Sequence, residues 1–477
     1  MDDSGRTRGR DTGAAGTIAR RAPFPPAPPQ PIVHSMRRHI LIVTGLLIVV
    51  AAAIIAWLAW PDKAKLDLAQ VTGPRPTISE PRPQLLPTVK VAKAVGWPTG
   101  AKPVAADGLK VEPFATGLDH PRWLYRLPNG DVLVAESNSP PREGGGITSK
   151  VMGFLLGRAG AGVPSANRIT LLRDADGDGR AETRSVFMTG LNSPSGMTLF
   201  DGQLYIANTD SLVRVPYTEG ATKITAKPEL VVKLPGGGNH WARNVIPAED
   251  GRTLYVSVGS ASNIAENGLD AERNRAAILQ VWPKEKTYRI YAAGLRNANG
   301  MAIHPVTKQL WTVVNERDML GSDIVPDYLT QVSLGDHFGW PWYYWGGYPD
   351  KRVEPANPQL QQYSKRPDYA LGPHVAALGL TFANEAKLGA RYADGAFIGE
   401  HGSWNRVPVS GYKVVFVPFG ANGWPAKDSK PVDVLTGFLD AKGQAQGRPV
   451  AVITDQTGAL LVSDDVGNAI WRVSAAR

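Results

Sequence analysis

The residue best suited to chemistry is a histidine in a glycine-rich segment. His240 lies in GGGNHWARN, where three glycines would let a ligand approach the backbone closely. A neutral imidazole accepts a proton near pH 7, so His240 is suited to the role of a general base. The alternative for this residue alone is a loop histidine whose hydrogen bonds only stabilise the fold.

Arginines beside asparagine or glycine form a second set of chemically capable residues. Arg296 and Asn297 lie in GLRNANG, and Arg448 follows Gly447 in GRPVAV. Like His240, they come just before apolar runs that recur along the chain. Arginine binds carboxylates through two parallel hydrogen bonds. The pattern therefore predicts one cavity that holds an anionic ligand, and a surface ion pair is the alternative for each arginine.

Two acidic segments offer oxygen ligands for a divalent cation. The first, Glu316 to Leu329, has the sequence ERDMLGSDIVPDYL and could supply oxygens to Ca²⁺. The second, DADGDGRAE from Asp174, resembles the start of a calcium-binding loop. Its twelfth position is Ser185 rather than glutamate, and no helical pattern flanks it. We therefore predict a hairpin turn at the second segment.

The composition and the missing motifs exclude several classes of protein. The 477 residues include no cysteine, which excludes disulfides, thiol nucleophiles, cysteine-bound zinc and iron–sulfur clusters. The sequence contains no GxSxG, HExxH or phosphate-binding loop motif. Its 52 basic and 43 acidic residues give a net charge of +9. Outside an arginine-rich start this charge is diffuse, so we predict no nucleic-acid partner.

The N-terminal region predicts a membrane anchor. The 21 residues from Ile40 to Trp60 carry no charge and would span about 31 Å as a helix, the thickness of a bilayer core. Seven arginines precede them, so the N-terminus would be cytoplasmic and the remainder periplasmic. A cleaved signal peptide and a buried core helix are the alternatives. We predict a disordered Arg/Pro-rich segment at 1–38, an inner-membrane span at 39–60 and a stiff Pro-rich linker at 61–104.

Residues 105–477 contain a pattern that recurs six times. Each copy has a turn, an apolar run, an Asp-Gly type of turn and a second apolar run, as in GLDHPRWLYRLPNGDVLVAES from Gly117. The second runs begin near residues 131, 203, 253, 309, 395 and 459. Short β-branched runs between turns are typical of all-β folds. The sequence therefore predicts an all-β, six-bladed β-propeller preceded by a single N-terminal transmembrane helix, with a pair of β-sandwiches as the alternative.

Five motifs in a fixed order resemble the soluble quinoprotein sugar dehydrogenases, which use pyrroloquinoline quinone (PQQ). The motifs are GGGNHWARN, LRNANGMAIHP, PDYLTQVSLGDHFGWP, EHGSWNR and GRPVAVITDQTGALLVSDD, and they cover about residues 110–477. The similarity is greatest to the branch that contains the L-sorbosone and pyranose dehydrogenases. The resemblance implies a six-bladed propeller, which agrees with the repeat count.

The resemblance implies roles for five residues in catalysis and cofactor binding. His240 corresponds to the catalytic base. Arg296 and Asn297 correspond to a pair that contacts the quinone, where Arg296 would also stabilise developing negative charge. Arg448 corresponds to an arginine that binds a carboxylate of the cofactor. Arg406 in HGSWNR would substitute for a cofactor-binding lysine of the glucose enzymes.

The resemblance also implies a Ca²⁺ ion bound together with the cofactor. Backbone carbonyls near Arg317 and Asp318 would contact the ion, and Asp327 lies in the region of the calcium loop. The sequence departs from the glucose enzymes at two positions. Asn239 replaces an aspartate before the histidine, and Gln446 replaces an arginine.

The predicted function is oxidation of an aldose or sugar aldehyde, sorbosone-like, by hydride transfer to PQQ. An external acceptor, a quinone or a cytochrome, would take the electrons because the chain offers no haem attachment or iron–sulfur site. One alternative is a metal-dependent lactonase-type propeller, which needs a cage of carboxylates and asparagines around its metal. The other is a non-catalytic extracytoplasmic binding propeller, in which His240, Arg296 and Arg448 would point apart.

Overall fold

A computed structural model describes residues 21–26, 32–58, 61–84, 86–141 and 147–476. The chain divides into two compact units, Met1–Leu58 and Ala59–Arg477. In the described residues of the first unit there is one helix, α1 (Ile32–Leu58), which starts seven residues before the predicted span. Its Arg37–Ile55 stretch is long and apolar enough to cross a membrane, a property that a signal sequence shares. Most of the predicted disordered segment 1–38, and the last two residues of the predicted span, lie outside the described residues.

The second unit is a six-bladed β-propeller, which confirms the prediction from the repeats. Each blade is an antiparallel sheet of four strands, to which blade V adds a fifth, and the innermost strands of neighbouring blades contact each other in a ring. The strands in chain order are β1 (Val104–Ala105) and β2 (Leu109–Thr116); β3 (Pro121–Arg126), β4 (Val132–Glu136), β5 (Arg168–Arg173) and β6 (Thr183–Met188) in blade I; β7 (Met197–Phe200), β8 (Gln203–Ala207), β9 (Ser211–Pro216) and β10 (Glu229–Lys233) in blade II; and β11 (Val245–Pro247), β12 (Leu254–Val258), β13 (Ala277–Trp282) and β14 (Thr287–Ala293) in blade III.

The second half of the chain continues the same arrangement. Its strands are β15 (Ala298–Ile303), β16 (Leu310–Val314), β17 (Pro326–Val332) and β20 (Tyr369–Pro373) in blade IV, with β18 (Tyr343–Tyr344) and β19 (Tyr348–Pro349) as a separate small hairpin; β21 (Ala377–Phe382), β22 (Gly395–Glu400), β23 (Lys413–Pro418) and β24 (Val432–Thr436) in blade V; and β25 (Pro449–Thr454), β26 (Leu460–Asp464) and β27 (Ala469–Ala475) in blade VI. The six predicted second runs are β4, β8, β12, β16, β22 and β26, and each starts within one residue of its predicted position. The described residues also form α2 (Ile147–Arg158) and short 3-10 helices at Leu269–Glu272, Pro358–Tyr363, Ala383–Glu385 and Ala390–Tyr392.

The ring is closed by a strand from the start of the propeller. β2 pairs with β27 and supplies the outermost strand of blade VI, and β1 pairs with β24 of blade V. Buried Leu109 and Val111 alternate with exposed Lys110 and Glu112, and Phe114 is buried where the register shifts between Pro113 and Ala115. Apolar burial on this strand therefore joins the two ends of the propeller sequence.

Residues 61–104, predicted as a stiff spacer, pack along the propeller instead. Gly73 exchanges backbone hydrogen bonds of 2.8 and 3.0 Å with Ala370 on the outer strand of blade IV. Further along, the indole Nε1 of Trp97 donates to the carboxylate of Asp464 in blade VI at 2.7 Å. Prolines favour extended backbone, and extended backbone can cover exposed sheet edges. The propeller unit therefore includes the predicted linker.

The DADGDG segment forms the loop between β5 and β6, as the predicted hairpin turn requires. Its four acidic side chains are half-exposed or exposed and have carboxylate oxygens within 4.8 Å of one another; they are Asp174, Asp176, Asp178 and Glu182. Among the described residues this is the only such group of three or more histidine or acidic ligands. The Asp174 carboxylate accepts hydrogen bonds from the amides of Gly177 and Gly179, which accounts for the shape of the loop.

Replacing Phe114 by alanine is expected to destabilise the propeller by roughly 3–5 kcal/mol, because it removes a buried ring from the closing strand. Denaturant unfolding followed by tryptophan fluorescence would measure the midpoint. Lys110→Ala on the exposed face of the same strand is the matched control and should change the midpoint little. Equal midpoints for the two variants would contradict a closing role for β2.

Candidate functional site

The sequence-predicted site residues lie at one end of the propeller. The loops at this end are of two kinds: those that lead into the innermost strand of a blade, and those that join its second strand to its third. Both kinds emerge at the same end because neighbouring strands are antiparallel. His240 lies in the loop before β11, Arg296 and Asn297 in the loop before β15, and Arg448 in the loop before β25. Arg317 and Asp318 lie between β16 and β17, and Asp327 lies at the start of β17. Arg406 lies between β22 and β23.

The imidazole of His240 is held through one nitrogen. Its Nδ1 lies 2.9 Å from the carbonyl oxygen of Ser260 and 3.0 Å from the hydroxyl of the same residue. The Ser260 hydroxyl donates to the carbonyl of Ser262 at 2.7 Å, so Nδ1 is the hydrogen donor in this group. That tautomer leaves Nε2 as a proton acceptor. Burial, and then the positive charge of Arg296, hold the pKa of His240 well below its usual value of 6.5.

Arg296 is a buried cation surrounded by oxygen atoms of two loops. Its Nε and Nη2 donate to the backbone and side-chain oxygens of Asn263 at 3.1 and 3.0 Å. Its Nη1 donates to the carbonyl of Glu316 at 2.6 Å, and Nη2 also pairs with Asp318 at 3.0 Å. A buried guanidinium needs such acceptors to offset its desolvation. The loop oxygens nearest Arg296 therefore already surround a cation that belongs to the protein.

Asp327 uses both carboxylate oxygens to hold backbone. One oxygen accepts the amide of Glu316 at 2.8 Å and the other accepts the amide of Ala376 at 2.7 Å. Burial raises the pKa of Asp327 to about 7, against the opposing effect of these two amides. The carbonyl of Asp318 accepts bonds from Arg352 and Asn263. In the described part of the chain, the predicted metal residues thus form no group of three acidic or histidine ligands.

The side chain of Arg317 has a structural role beneath the acidic segment. It is fully buried, and its donors bind the carbonyls of Pro341 at 2.6 Å and Tyr343 at 2.7 Å and the carboxylate of Glu316 at 3.0 Å. The sequence assigned only the backbone near Arg317 to the metal. The guanidinium of Arg317 joins the acidic segment to the small hairpin formed by β18 and β19.

Arg406 is buried beside the site but faces away from its pocket. Its Nε donates to the carbonyl of Ser322 at 2.9 Å and its Nη1 to the carbonyl of Pro408 at 2.7 Å. The neighbouring Trp404 and Asn405 line the pocket instead. The structure therefore gives Arg406 a loop-holding position and does not bring it to the predicted cofactor contact.

His240, Arg296, Asn297 and Asp327 line one pocket, which we call the His240 pocket. It has a volume of about 140 Å³, and its wall is completed by Asn315, Glu316, Asp318, His374, Ala376, Trp404 and Asn405. Gly259 permits this convergence, because a Cβ there would lie 2.3 Å from Asn297 Oδ1 and 2.6 Å from the Cβ of His240. Most of the residues that line the pocket have polar or charged side chains.

A second charged group, which we call the Asp465 cluster, was not predicted as a site apart from Arg448. The Asp465 carboxylate accepts from Arg122 Nη1, lies 2.9 Å from His401 Nε2 and lies 3.5 Å from His120 Nε2. Its histidine and arginine neighbours hold the pKa of Asp465 well below its usual range despite burial. Burial lowers the pKa of His401 to about 4, while Asp465 acts in the opposite direction. The motifs DHPR, EHGSWNR and VSDD were the available sequence signal, since they occupy equivalent ends of neighbouring blades.

Arg448 belongs to the Asp465 cluster and does not line the His240 pocket. Its Nη2 donates to the carbonyl of Gly402 at 3.2 Å and to the hydroxyl of Tyr412 at 2.8 Å. The cluster reaches the His240 loop through Arg122, whose guanidinium lies 5.5 Å from the ring of Trp241. The structure thus places the predicted arginines in two neighbouring groups rather than in one cavity.

A larger pocket of about 450 Å³ lies beside the His240 loop. It is lined by Ser139, Pro140, Pro141, Gly237, Gly238, Asn239 and Trp241. Small-molecule sites usually measure about 300–1,000 Å³, so this pocket is large enough for a ligand and the His240 pocket alone is not. A ligand of cofactor size would have to extend along the His240 loop.

Comparison with known proteins identifies the family. A family model described as TrAA12-like matches residues 103–333 and 325–476. The PQQ-dependent pyranose dehydrogenase of Coprinopsis cinerea is 25% identical over 431 residues, which cover 77% of this chain and 54% of that protein. This chain therefore spans about half the length of that relative.

Solved structures show the same fold. The Trichoderma reesei carbohydrate-active enzyme of family AA12 has a TM-score of 0.64 at 19% identity and covers 81% of this chain and 99% of that chain. The holo PQQ domain of the Coprinopsis cinerea pyranose dehydrogenase has a TM-score of 0.63 at 20% identity. The match covers 81% of this chain and 100% of that domain. Because the family model spans the whole propeller, the chain belongs to the TrAA12-like family, whose structural neighbours include PQQ-dependent sugar dehydrogenases.

Proposed function

We propose that this chain is a PQQ-dependent dehydrogenase that oxidises an aldose or sugar aldehyde, with sorbosone-like sugars as the leading class. The observation that carries the proposal is the His240 pocket, where a neutral imidazole with an available Nε2 lies beside a buried guanidinium. The named activities of the relatives support the same chemistry.

The residues of the Asp465 cluster fit a planar ligand with three carboxylates, as PQQ is. Arg448 Nε is buried and has no hydrogen-bond partner among the described residues, so it can donate to an added anion. Arg122 lies in the same cluster and contacts the indole of Trp241. We propose that Arg448 and Arg122 would bind carboxylates of the cofactor and that Asn297 and Arg296 would contact its quinone.

A Ca²⁺ ion fits the site less completely. Both oxygens of Asp327 are engaged by amides, and the Asp318 carboxylate is engaged by Arg296 and Asn405. Calcium takes six to eight oxygen ligands, so the cofactor would have to supply several of them. We propose that Ca²⁺ binds only together with the cofactor, through carbonyls near Arg317 and Asp318.

The proposed mechanism assigns the proton to His240. Nε2 takes the hydroxyl proton of a hemiacetal or hydrated aldehyde while the adjacent C–H bond breaks. PQQ, when bound, supplies the redox chemistry by accepting the hydride. The positive charge of Arg296 stabilises negative charge that develops nearby during the reaction. The same charge destabilises the protonated form of His240. The proton therefore passes from His240 to solvent after each turnover.

The geometry favours a dehydrogenase over the lactonase alternative. Asn297, Asn315 and Asn405 do line the His240 pocket with acidic residues, as a lactonase metal cage requires. The cation among them, however, is the guanidinium of Arg296, whose donors already bind the acidic segment. A metal held by these side chains alone would be repelled by that charge, whereas the proposed Ca²⁺ would bind only together with an anionic cofactor that offsets it.

We also propose that α1 anchors the protein in the inner membrane with the propeller in the periplasm. The apolar Arg37–Ile55 stretch and the arginines before it support this topology. Electrons from the reduced cofactor would then pass to an external quinone or cytochrome. The protein offers no cysteine for a metal cluster of its own.

Reconstitution of the full chain with PQQ and Ca²⁺ tests the activity. Dye reduction is expected with aldoses or ketoaldoses and not without the cofactor, and calorimetry would measure PQQ binding. The full chain is required because residues 61–104 pack on the propeller. Absence of both PQQ binding and dye reduction across a panel of aldoses, ketoaldoses and simple aldehydes would refute the proposed function.

His240→Gln is expected to lower kcat by about 10²–10⁴-fold and to leave PQQ affinity nearly unchanged, because it removes the proton acceptor and not a charged cofactor contact. His304→Gln is the matched control, since His304 follows β15 at the other end of the propeller and packs against Phe382 and Phe419. His401→Gln is the comparison. If it abolishes turnover while His240→Gln retains it, the base is His401 in the Asp465 cluster.

The value of kcat/KM is expected to stay level as the pH falls from about 8 to 6.5, because burial and Arg296 hold the pKa of His240 below 6.5. Activity is lost only when the pH falls through that lowered value and the imidazole takes up a proton. Because the pKa of Asp327 is raised to about 7, its titration falls in the same pH range, and the variant Asp327→Asn removes that contribution. An inflection at or above pH 6.5 that persists in Asp327→Asn would contradict the assignment.

A further inference from the structure

A buried carboxylate in the acidic segment is bonded by residues that lie far away in sequence. Asp323 is almost fully buried and accepts the amide of Lys65 at 2.9 and 3.1 Å and the amide of Leu66 at 3.3 Å. Nη2 of Arg82 donates to the same carboxylate at 2.8 Å. All of these donors lie in residues 61–84, before the first propeller strand.

The residues beside Asp323 are held by the same segment. The amide and hydroxyl of Ser322 donate to the carboxylate and carbonyl of Asp62 at 2.6 and 2.8 Å. Arg82 bridges the two sides, because its Nη1 pairs with Asp62 at 2.5 Å and its amide donates to the carbonyl of Leu320 at 2.8 Å. Arg82 therefore joins two carboxylates and the backbone carbonyl of Leu320.

The opposite side of this loop faces the His240 pocket. The Asp318 carboxylate accepts Arg296 at 3.0 Å and Asn405 at 2.7 Å. The carbonyl of Gly321 lies 3.1 Å from Nε2 of His374, another pocket residue. Residues 316–325 are thus held between the pocket on one side and residues 61–84 on the other.

The segment is also fixed beyond the loop. Gly73 pairs with Ala370 on the strand that leads into His374, and Ile78 packs against the core of blade IV. Arg82 precedes Pro83, which restricts the backbone of Arg82 to extended conformations before any contact forms. Ordering Arg82 at the loop therefore costs less conformational entropy than ordering an unrestricted residue.

We propose that residues 61–84 form a strap that positions the pocket loop 316–325, with Arg82 as the positioning residue. Loss of Arg82 leaves the buried carboxylate of Asp323 without its cationic partner, so the loop has to move to hydrate it. Movement of the loop displaces Asp318 from Arg296. The consequence for cofactor affinity rests on the proposed function, whereas the strap itself does not.

Hydrogen exchange of the full chain without cofactor tests the strap. Arg82→Met and, as a second variant on the strap side, Asp62→Asn are expected to speed exchange of the amides of residues 319–323 by about tenfold or more. The amides of Glu316 and Asp318 in the pocket should accelerate with them. Arg75→Met is the matched control, because Arg75 is an exposed arginine of the same segment, and should exchange like the wild type.

Three results would overturn the proposal. One is unchanged exchange at 319–323 in both variants. Another is acceleration at 319–323 that does not reach Glu316 and Asp318, since the strap would then not act on the pocket. The third is equal acceleration across β26 and β27, because global destabilisation and not loop positioning would then be the cause.

Calorimetric titration with PQQ and Ca²⁺ supplies a second readout. The Kd for PQQ is expected to rise about tenfold in Arg82→Met and to recover partly in Arg82→Lys, which restores the charge but not both arms of the guanidinium. An unchanged Kd in Arg82→Met would overturn the effect on the site. If the wild type binds no PQQ, the proposed function fails, and the exchange experiment decides on the strap by itself.

Discussion

The site is organised around a single buried guanidinium. A cation removed from water must be offset by hydrogen-bond acceptors, and Arg296 finds them in two loops that are distant in sequence. Its donors reach both oxygens of Asn263, the carbonyl of Glu316 and the carboxylate of Asp318. Meeting this requirement fixes the two loops against each other. The same charge disfavours a proton on His240, so one residue both shapes the pocket and sets its acid–base character.

The neighbouring Asp465 cluster has the reverse polarity, and its arginines differ from the others in how their donors are used. Arg317 and Arg406 donate to backbone carbonyls, most of which belong to neighbouring segments. Arg448 keeps a buried Nε without a partner in the described part of the chain. An arginine whose donors are satisfied holds the fold, whereas one with an unused buried donor can bind an added anion. That difference, and not the presence of an arginine in a loop, favours Arg448 for the proposed cofactor contact.

The sequence was sufficient for features that depend on local periodicity. Each second strand begins within one residue of its predicted position, because the sequence of a propeller blade alternates apolar strands with tight turns. It was insufficient where a single position decides which way a side chain points. Arg406 was predicted to face the cofactor, but Asn405 lines the pocket. The proline-rich composition of 61–104 predicted a spacer, since composition reports stiffness and not the surface against which a stiff segment packs.

His240 and His401, two of the imidazoles at this end of the propeller, illustrate how local partners distinguish residues of one type. His240 is held by a neutral carbonyl and faces a cation, so a proton on it is unstable and leaves quickly. His401 is held by the carboxylate of Asp465, which stabilises its charged form, although burial and Arg448 oppose that effect. A base that must return to its neutral form in every cycle benefits from the first environment. His401, with a pKa lowered to about 4, is neutral near pH 7 and contributes a hydrogen bond to Asp465. His240 is therefore better suited to moving the proton, and the arginines beside Asp465 to binding an anion.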